Sequence, residues 1–561
     1  MLRKQVKMKK KETLKRFIVE GIPLITSIAQ SIELRTIISK YIHSYGNEKI
    51  PIVDTLMLLL CNITIRRQPL YELEQWAQKI EPQCFQLKTG QLQHLNDDRF
   101  GRALDKLYLC DRASLMTEIV VKMIKVVALD LHRIHNDSTT VKAYGKIPGK
   151  TKTGLELLRG KSKDHRPDLK QLVFSLSITS DGAVPIHYKT YPGNRTDDTT
   201  HIETWNTVSK IAGRCDFIYV ADCKVCTSKQ LSYIVSKGGR VITIMPETWK
   251  ESTIFKEKLR SQKCRKRVIW HREIPGQSCE YESFSLFCGD FRAGKAGYRV
   301  LWFHSSEKEK KDCLNREQRL QRAERELLNL TPKLNKRKLK TREAIETRVE
   351  RILEKYGIKR FFQITLSEKT REFRVQIGKG RPGPNTKYKT NVETVYSLLW
   401  QENEEALKKE KDVDGIFPLL TTDDSLSAKT VLTSYKYQPR LEKRFTQFKS
   451  VHEADPLLFK KIERVEAIMF LFFLSLMIQA IIEREVRLKM KQKGIKSLPI
   501  YPEFRDANHP TTSKILDTFD GISSYNVTIG GETREFRDPL THTQETILSL
   551  LNIDINDFWG K

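Results

Sequence analysis

The stretch Leu131-His-Arg-Ile-His-Asn136 reads as a strand that runs into Asp137, with Ser138, Thr139, Thr140 and Val141 behind it. An Asp at a strand end in a sheet core is fixed by the backbone and open to water, which suits it to hold a cation. A second apolar run, Phe217-Ile-Tyr-Val-Ala221, ends in Asp222. Two strand-end carboxylates on neighbouring strands can share Mg²⁺, a hard ion that takes oxygen ligands. Either Asp alone would be an ordinary turn residue or helix cap. It is the pair that asks for a site.

Outward from these residues the chain alternates. β-rich runs occupy residues 128–134, 172–178, 184–190, 216–221 and 240–245, and helical segments fall near 198–211 and 228–236. Three strands, helix, strand, helix, strand is the order of a ribonuclease H-like α/β core, an order many α/β proteins share. In that architecture a third carboxylate comes from a helix. The segment Tyr435-Lys-Tyr-Gln-Pro-Arg-Leu-Glu442-Lys-Arg-Phe-Thr-Gln-Phe-Lys449 supplies one. Phe445 and Lys449 follow Glu442 by three and seven residues, so the spacing predicts one helix face carrying a metal ligand beside a phosphate ligand. A surface helix with an ordinary ion pair has the same spacing. Pro439 is comfortable only in a first turn, so the helix is expected to begin there and leave Tyr435 outside.

Composition points to a polyanion. The 561 residues carry a formal charge of +30, costly in self-repulsion unless a partner offsets it. Nucleic acid is the commonest such partner. A membrane surface is the rival. The basic run Lys4, Lys7, Lys9, Lys10 and Lys11 meets Glu20 and Pro23 rather than a clean apolar segment, which argues against a signal peptide. The apolar stretch 467–482 contains Gln479 and is bracketed by Glu466 and Glu483. It falls short of the roughly 20 residues of a span and reads as a buried helix. Ten cysteines show no disulfide-scaffold spacing, and the lone Cys223-x-x-Cys226 lacks the second pair a zinc site needs. A cytoplasmic, nucleoid-associated protein is expected.

Five regions are expected: a helical domain for DNA-end binding or dimerisation (1–125), the first part of the core (126–250), an inserted mixed α/β domain (251–430), core helices carrying Glu442 (431–492) and a loop-rich tail (493–561). In the insertion, strands are expected at 283–287, 299–303, 361–366 and 372–377, and a charged helical stretch over 307–355, broken near Pro332. The cluster Lys336, Arg337, Lys338, Lys340 and Arg342 reads either as DNA-lining or as a solvated face.

These segments resemble the DDE transposases of bacterial insertion sequences, in the group whose glutamate lies in a Tyr-x-x-Arg-x-x-x-Glu-x-x-x-x-x-x-Lys signature. Tyr435, Glu442 and Lys449 match that spacing, whereas Gln438 stands at the Arg position. Thr139, Tyr144 and Gly145 resemble the pattern around the family's first Asp. The run His165 to Gln171, Gly193-Asn194 with Asp198, residues 220–246 and 461–484, and Tyr501-Pro502 with Pro510-Thr511 are also similar. The resemblance runs from about residue 125 onward and more faintly before it.

It implies a two-metal site of Asp137, Asp222 and Glu442 holding two Mg²⁺ ions (with Mn²⁺ as a substitute), and DNA contacts from Tyr435 and Lys449. It also implies double-stranded DNA partners, namely terminal inverted repeats and target, and a dimer or larger assembly, with no membrane and no ATP. A repurposed, catalytically inactive DNA-binding protein and a repair nuclease on the same core are the alternatives.

Two motifs mislead. Gly289-Asp-Phe-Arg-Ala-Gly294-Lys295-Ala296 nearly spells a phosphate-binding loop, but Ala296 stands where the Mg²⁺-holding Ser or Thr belongs and a strand, not a helix, is expected after it. His132 and His135, three apart on a strand, point to opposite faces and make no metal pair.

Overall fold

The computed structural model describes residues 12–560, apart from 44–47, 67, 89, 146, 165, 275–279, 456, 458, 504 and 530. The basic run before residue 12 and His165 therefore lie outside the described residues. The chain divides into two compact units, 1–243 with 430–561, and 244–429.

The first unit opens with β1 (Thr13–Ile18) and then six helices, α1 (Ile22–Ser31), α2 (Leu34–Tyr41), α3 (Ile52–Ile65), α4 (Leu73–Ala77), α5 (Asp97–Leu109) and α6 (Arg112–Val127). Next come β2 (Arg133–Ala143), β3 (Lys170–Thr179), β4 (Pro185–Pro192), α7 (His201–Ala212), β5 (Ile218–Ala221), α8 (Ser228–Ser236) and β6 (Arg240–Ile244). The strands lie in the order β4-β3-β2-β5-β6. β2, β3 and β4 pair antiparallel, while β5 runs parallel to β2 and β6 parallel to β5. A mixed α/β sheet results, with βαβ crossovers at its parallel end.

The first strand differs from its expected limits. Residues 128–132 are not strand: Ala128 closes α6 with φ +49°, and β2 starts at Arg133. It continues through Asp137 to Ala143, because Ser138 to Val141 keep pairing with β3 after β5 has ended. Asp137 is thus a mid-strand residue.

The second unit contains α9 (Lys250–Ser261), β7 (Lys266–Glu273), β8 (Tyr281–Phe287), β9 (Phe291–Ala293), β10 (Tyr298–Ser305), α10 (Ser306–Leu330) and α11 (Arg342–Tyr356). β11 (Phe362–Gln376), β12 (Tyr388–Glu402), α12 (Glu404–Lys411) and β13 (Ile416–Thr421) complete it. It opens on a helix and β7 rather than on the expected strand at 283–287. Residues 289–296 build the β9–β10 hairpin. The two runs at 361–366 and 372–377 form one fifteen-residue strand, β11, paired along its whole length with β12.

The chain returns to the first unit through α13 (Ala428–Tyr435), α14 (Pro439–Thr446) and α15 (Ile462–Gln492). β14 (Leu498–Pro499), β15 (Asp506–Ala507), α16 (Thr512–Asp517), β16 (Ser523–Ile529), β17 (Glu532–Arg537), α17 (His542–Leu550) and α18 (Ile555–Phe558) follow, so the segment expected to be rich in loops carries strands and helices. β16 pairs with β1 on one side and β17 on the other.

By length and composition α15 is apolar enough to cross a membrane, and its apolar window is wholly buried. Packed by α1, α3, α5 and β4, it is the axis of the first unit. Arg464 forks onto Asp105 of α5 at 2.8 Å, and Arg112 meets Glu466. Burying a side chain such as Phe470 or Leu474 contributes about 1.5–3 kcal/mol, so some twenty buried positions on one helix dominate this core.

Candidate active site

The parallel pairing of β2 with β5 ends at His135 opposite Val220. Asp137 and Asp222 each stand two residues beyond that pair, Asp137 still within β2 and Asp222 just past the end of β5, capping the turn that follows. The Asp222 carbonyl accepts from Thr243 Oγ1 at 2.7 Å, and its Oδ1 accepts from the Lys224 N–H at 3.0 Å. The carboxylate is thereby fixed by its own turn. Asp137 Oδ1 accepts from the Ser138 N–H at 2.7 Å and from Lys163 Nζ at 3.2 Å, and the same ammonium donates to the Ser138 carbonyl. Buried His201 places Nε2 3.9 Å from Asp222 Oδ1, with its other ring nitrogen 3.1 Å from the Tyr219 hydroxyl.

Glu442 is exposed in the first turn of α14, which begins at Pro439 as its ring geometry requires. Tyr435 lies outside that helix, at the end of α13. The two ends of α14 are anchored. Gln438 donates to the Asn136 carbonyl at 3.1 Å, and its Oε1 accepts from His135 Nδ1 at 3.1 Å. Arg444, buried, donates to the carbonyls of Ala183 and Gly182 in the β3–β4 turn and to Glu483 of α15. Burial drives the Tyr435 phenol pKa upward, and the charges of Asp222, Cys223, Asp137 and Glu442 push it further the same way.

The expected stripe of Glu442, Phe445 and Lys449 does not form. Residues 447–451 wind as a π-helix, closed by the His452 N–H on the Gln447 carbonyl at 2.9 Å, and the wider turn rotates Lys449 out of the α-helical register. Phe445 is buried, and the Lys449 ammonium is held by both oxygens of Asp164, at 3.0 and 2.8 Å. His135 is buried and His132 is exposed beside Asp130, so the two share no site.

Among the described residues no three His, Cys, Asp or Glu side chains converge on one point to hold a metal. Asp137, Asp222 and Glu442 are oxygen donors of the kind a hard dication takes, and Asp137 already draws the Lys163 ammonium to its oxygen. Lys163, His201 and Arg444 carry no motif signal of their own in the sequence. Gln438 carries one, as the departure from a signature.

Residues 15–121 match the family described as a domain of unknown function (DUF4277). No curated protein matches the chain. Among solved structures, a piggyBac transposase synaptic complex with hairpin DNA is similar at a TM-score of 0.37 and 9% identity, over 91% of this chain and 82% of that one.

Proposed function

We propose that the chain is a DDE transposase of the bacterial insertion-sequence group with the Tyr-x-x-Arg-x-x-x-Glu-x-x-x-x-x-x-Lys glutamate motif. In this reading it has a ribonuclease H-like core, cleaves DNA at terminal inverted repeats and joins the freed 3′-hydroxyl to target DNA. The observation that carries the reading is the matched placement of Asp137 and Asp222, each two residues beyond the last parallel pair of β2 and β5, with the helix of Glu442 tied to β2 through Gln438. The strand order β4-β3-β2-β5-β6 supports it as well, being the order in which that core places its antiparallel trio and parallel pair.

Asp137, Asp222 and Glu442 would hold two Mg²⁺ ions, which lower the pKa of an attacking water and stabilise the departing 3′ oxygen. Tyr435, kept protonated by burial and by the carboxylates, donates to a non-bridging phosphate oxygen. Lys449 exchanges Asp164 for the DNA backbone beside the scissile phosphate. In cleavage the water oxygen bonds to phosphorus, the P–O3′ bond breaks, and the 3′ oxygen leaves with a proton. In joining, that 3′-hydroxyl replaces water against a target phosphodiester. No covalent protein intermediate and no ATP are required. The helical region of residues 1–125 is the proposed end-binding or dimerisation domain, and the assembly on paired ends is a dimer or larger.

The deciding experiment is cleavage and joining of DNA bearing the terminal repeats of its own locus, in Mg²⁺ and then in EDTA. Asp137→Asn, Asp222→Asn and Glu442→Gln should each lower both activities at least about a thousandfold, some 4 kcal/mol of transition-state stabilisation, while end binding persists. Undiminished activity in any one variant removes that residue from the site. End binding without activity in the wild type favours a repurposed DNA-binding protein. Cleavage without joining favours a nuclease.

A further inference from the structure

The second unit projects a β-ribbon whose outer half has no core. β11 and β12 pair over fifteen residues each, from Phe362 opposite Glu402 to Gln376 opposite Tyr388. At about 3.4 Å per residue the ribbon is roughly 50 Å long. Its base is anchored: Phe362, Ile364, Leu366, Tyr396, Leu398 and Trp400 share one face and pack on the apolar cluster of α10 and α11. From residue 369 to 395 no side chain joins that cluster. A two-stranded hairpin is marginal by itself in water, so this extension is held from one end only.

Its composition is one-sided. Residues 369–395 hold seven Lys or Arg against two acids, Glu372 and Glu393. Alternation along the strands places Lys369, Arg371, Lys387 and Lys389 on the face opposite the one buried at the base, with a single acid there, Glu393, across from Arg371. Phe373 and Val375, both exposed, lie between those cations. Lys379 and Arg381 occupy the tip. A second basic segment reaches the ribbon's waist. The Asn335 side chain donates to the Tyr396 carbonyl at 2.9 Å and accepts from the Tyr396 N–H at 2.7 Å. That pins the exposed loop of Lys336, Arg337, Lys338 and Lys340 beside β12.

Charged side chains on an open ribbon also guard its edges against pairing with other chains, and guarding alone asks for charge of either sign. Nearly uniform positive charge, on the outer face and in a loop from elsewhere in the sequence, asks for a polyanion. The major groove of B-DNA, about 12 Å wide, admits a two-stranded β-ribbon. From these features we infer that the β11–β12 ribbon is an arm that lies along duplex DNA, its cations on phosphates and its exposed apolar residues in the groove. The inference rests on the chain's acting on DNA, and adds which element of the second unit grips the duplex.

The test compares the full-length wild type with Arg371→Gln/Lys387→Gln/Lys389→Gln, and with a control, Lys408→Gln/Lys409→Gln/Lys411→Gln on α12. Binding to a random-sequence duplex is followed by fluorescence anisotropy between 50 and 200 mM salt, and self-association by sedimentation. Every phosphate that a variant no longer neutralises takes about 0.9 from the slope of log affinity against log salt. The ribbon variant should have a slope shallower by about two to three and bind about tenfold or more weakly at the upper salt, with the control unchanged. A second variant, in which Asn-Gly joins Lys369 directly to Val395, should behave like the ribbon variant. Equal slopes for ribbon variant and wild type overturn the arm and leave the transposase proposal standing. A change in self-association alone overturns it in favour of pairing between copies. Absence of duplex binding by the wild type overturns both readings.

Discussion

The Gln438 side-chain amide donates a 3.1 Å hydrogen bond to the backbone carbonyl of Asn136, the residue directly before Asp137. Its Oε1 accepts from His135 Nδ1 at the same distance. The helix of Glu442 is therefore tied, one turn before the glutamate, to the strand of Asp137. In the proposed site this side chain sets the spacing of two carboxylates without touching DNA.

Gln438→Ala should loosen that tie. It leaves the buried His135 N–H and the Asn136 carbonyl without this partner, a cost of about 1–3 kcal/mol per unsatisfied group. Urea unfolding should show the loss, and DNA cleavage should fall further than stability alone explains. Unchanged values of both would mean the tie positions nothing.

Lys163→Met should sharpen the response to Mg²⁺. The ammonium sits 3.2 Å from Asp137 Oδ1, where it competes with a dication. Half-maximal cleavage should therefore move to lower Mg²⁺ in a titration. An unmoved or higher midpoint would show that Lys163 and the metal do not share that oxygen.

Acid should weaken the sheet through two buried histidines. Burial lowers the pKa of His135 to about 4 and that of His187 to about 4. The unfolded chain takes up these protons near pH 6.5, so this stability is fully present above 6.5 and is lost as the pH falls towards 4. Between pH 7 and 5 each contributes about 2 kcal/mol of loss. Replacing His187 with Phe should shrink the difference in unfolding free energy between those two pH values by about that amount. An equal difference in wild type and variant would remove His187 from the effect.

Arg444→Met should cost about 3–5 kcal/mol, since it strands the Glu483 carboxylate in the core. Arg487, 3.1 Å from the other Glu483 oxygen, softens the loss towards the lower end. Arg444→Met/Glu483→Met should recover part of it in thermal unfolding. A single variant as stable as wild type would show that the pair is dispensable.

Local pattern revealed what local physics decides. The run Phe217 to Ala221 is continuous and apolar because β5 is buried on both faces, and Pro439 marked the start of its helix. Asp137 was legible as a carboxylate on a core strand but not as a mid-strand one, since Ser138 to Val141 stay extended only through pairing with β3. The partners of the site are beyond any window: Gln438 meets His135 across 303 residues and Lys449 meets Asp164 across 285. β12 is not legible as a strand because most of it faces water, and apolar alternation is confined to Tyr396, Leu398 and Trp400 at its base.

The three-stranded sheet has a consequence for the order of synthesis. Arg16, in β1, donates to the Ser523 hydroxyl across 507 residues. A ribosome adding about 5–20 residues per second needs roughly 25 to 100 s between those two points. Throughout that interval β1 lacks its partner strand, and for less than half of it, the span from residue 222 to residue 442, Asp137 and Asp222 have been made while Glu442 has not. A nascent or prematurely terminated chain thus carries an unclosed sheet and an incomplete trio of carboxylates. In the proposed reading, the order of the residues alone would keep a half-made product from cutting DNA strands.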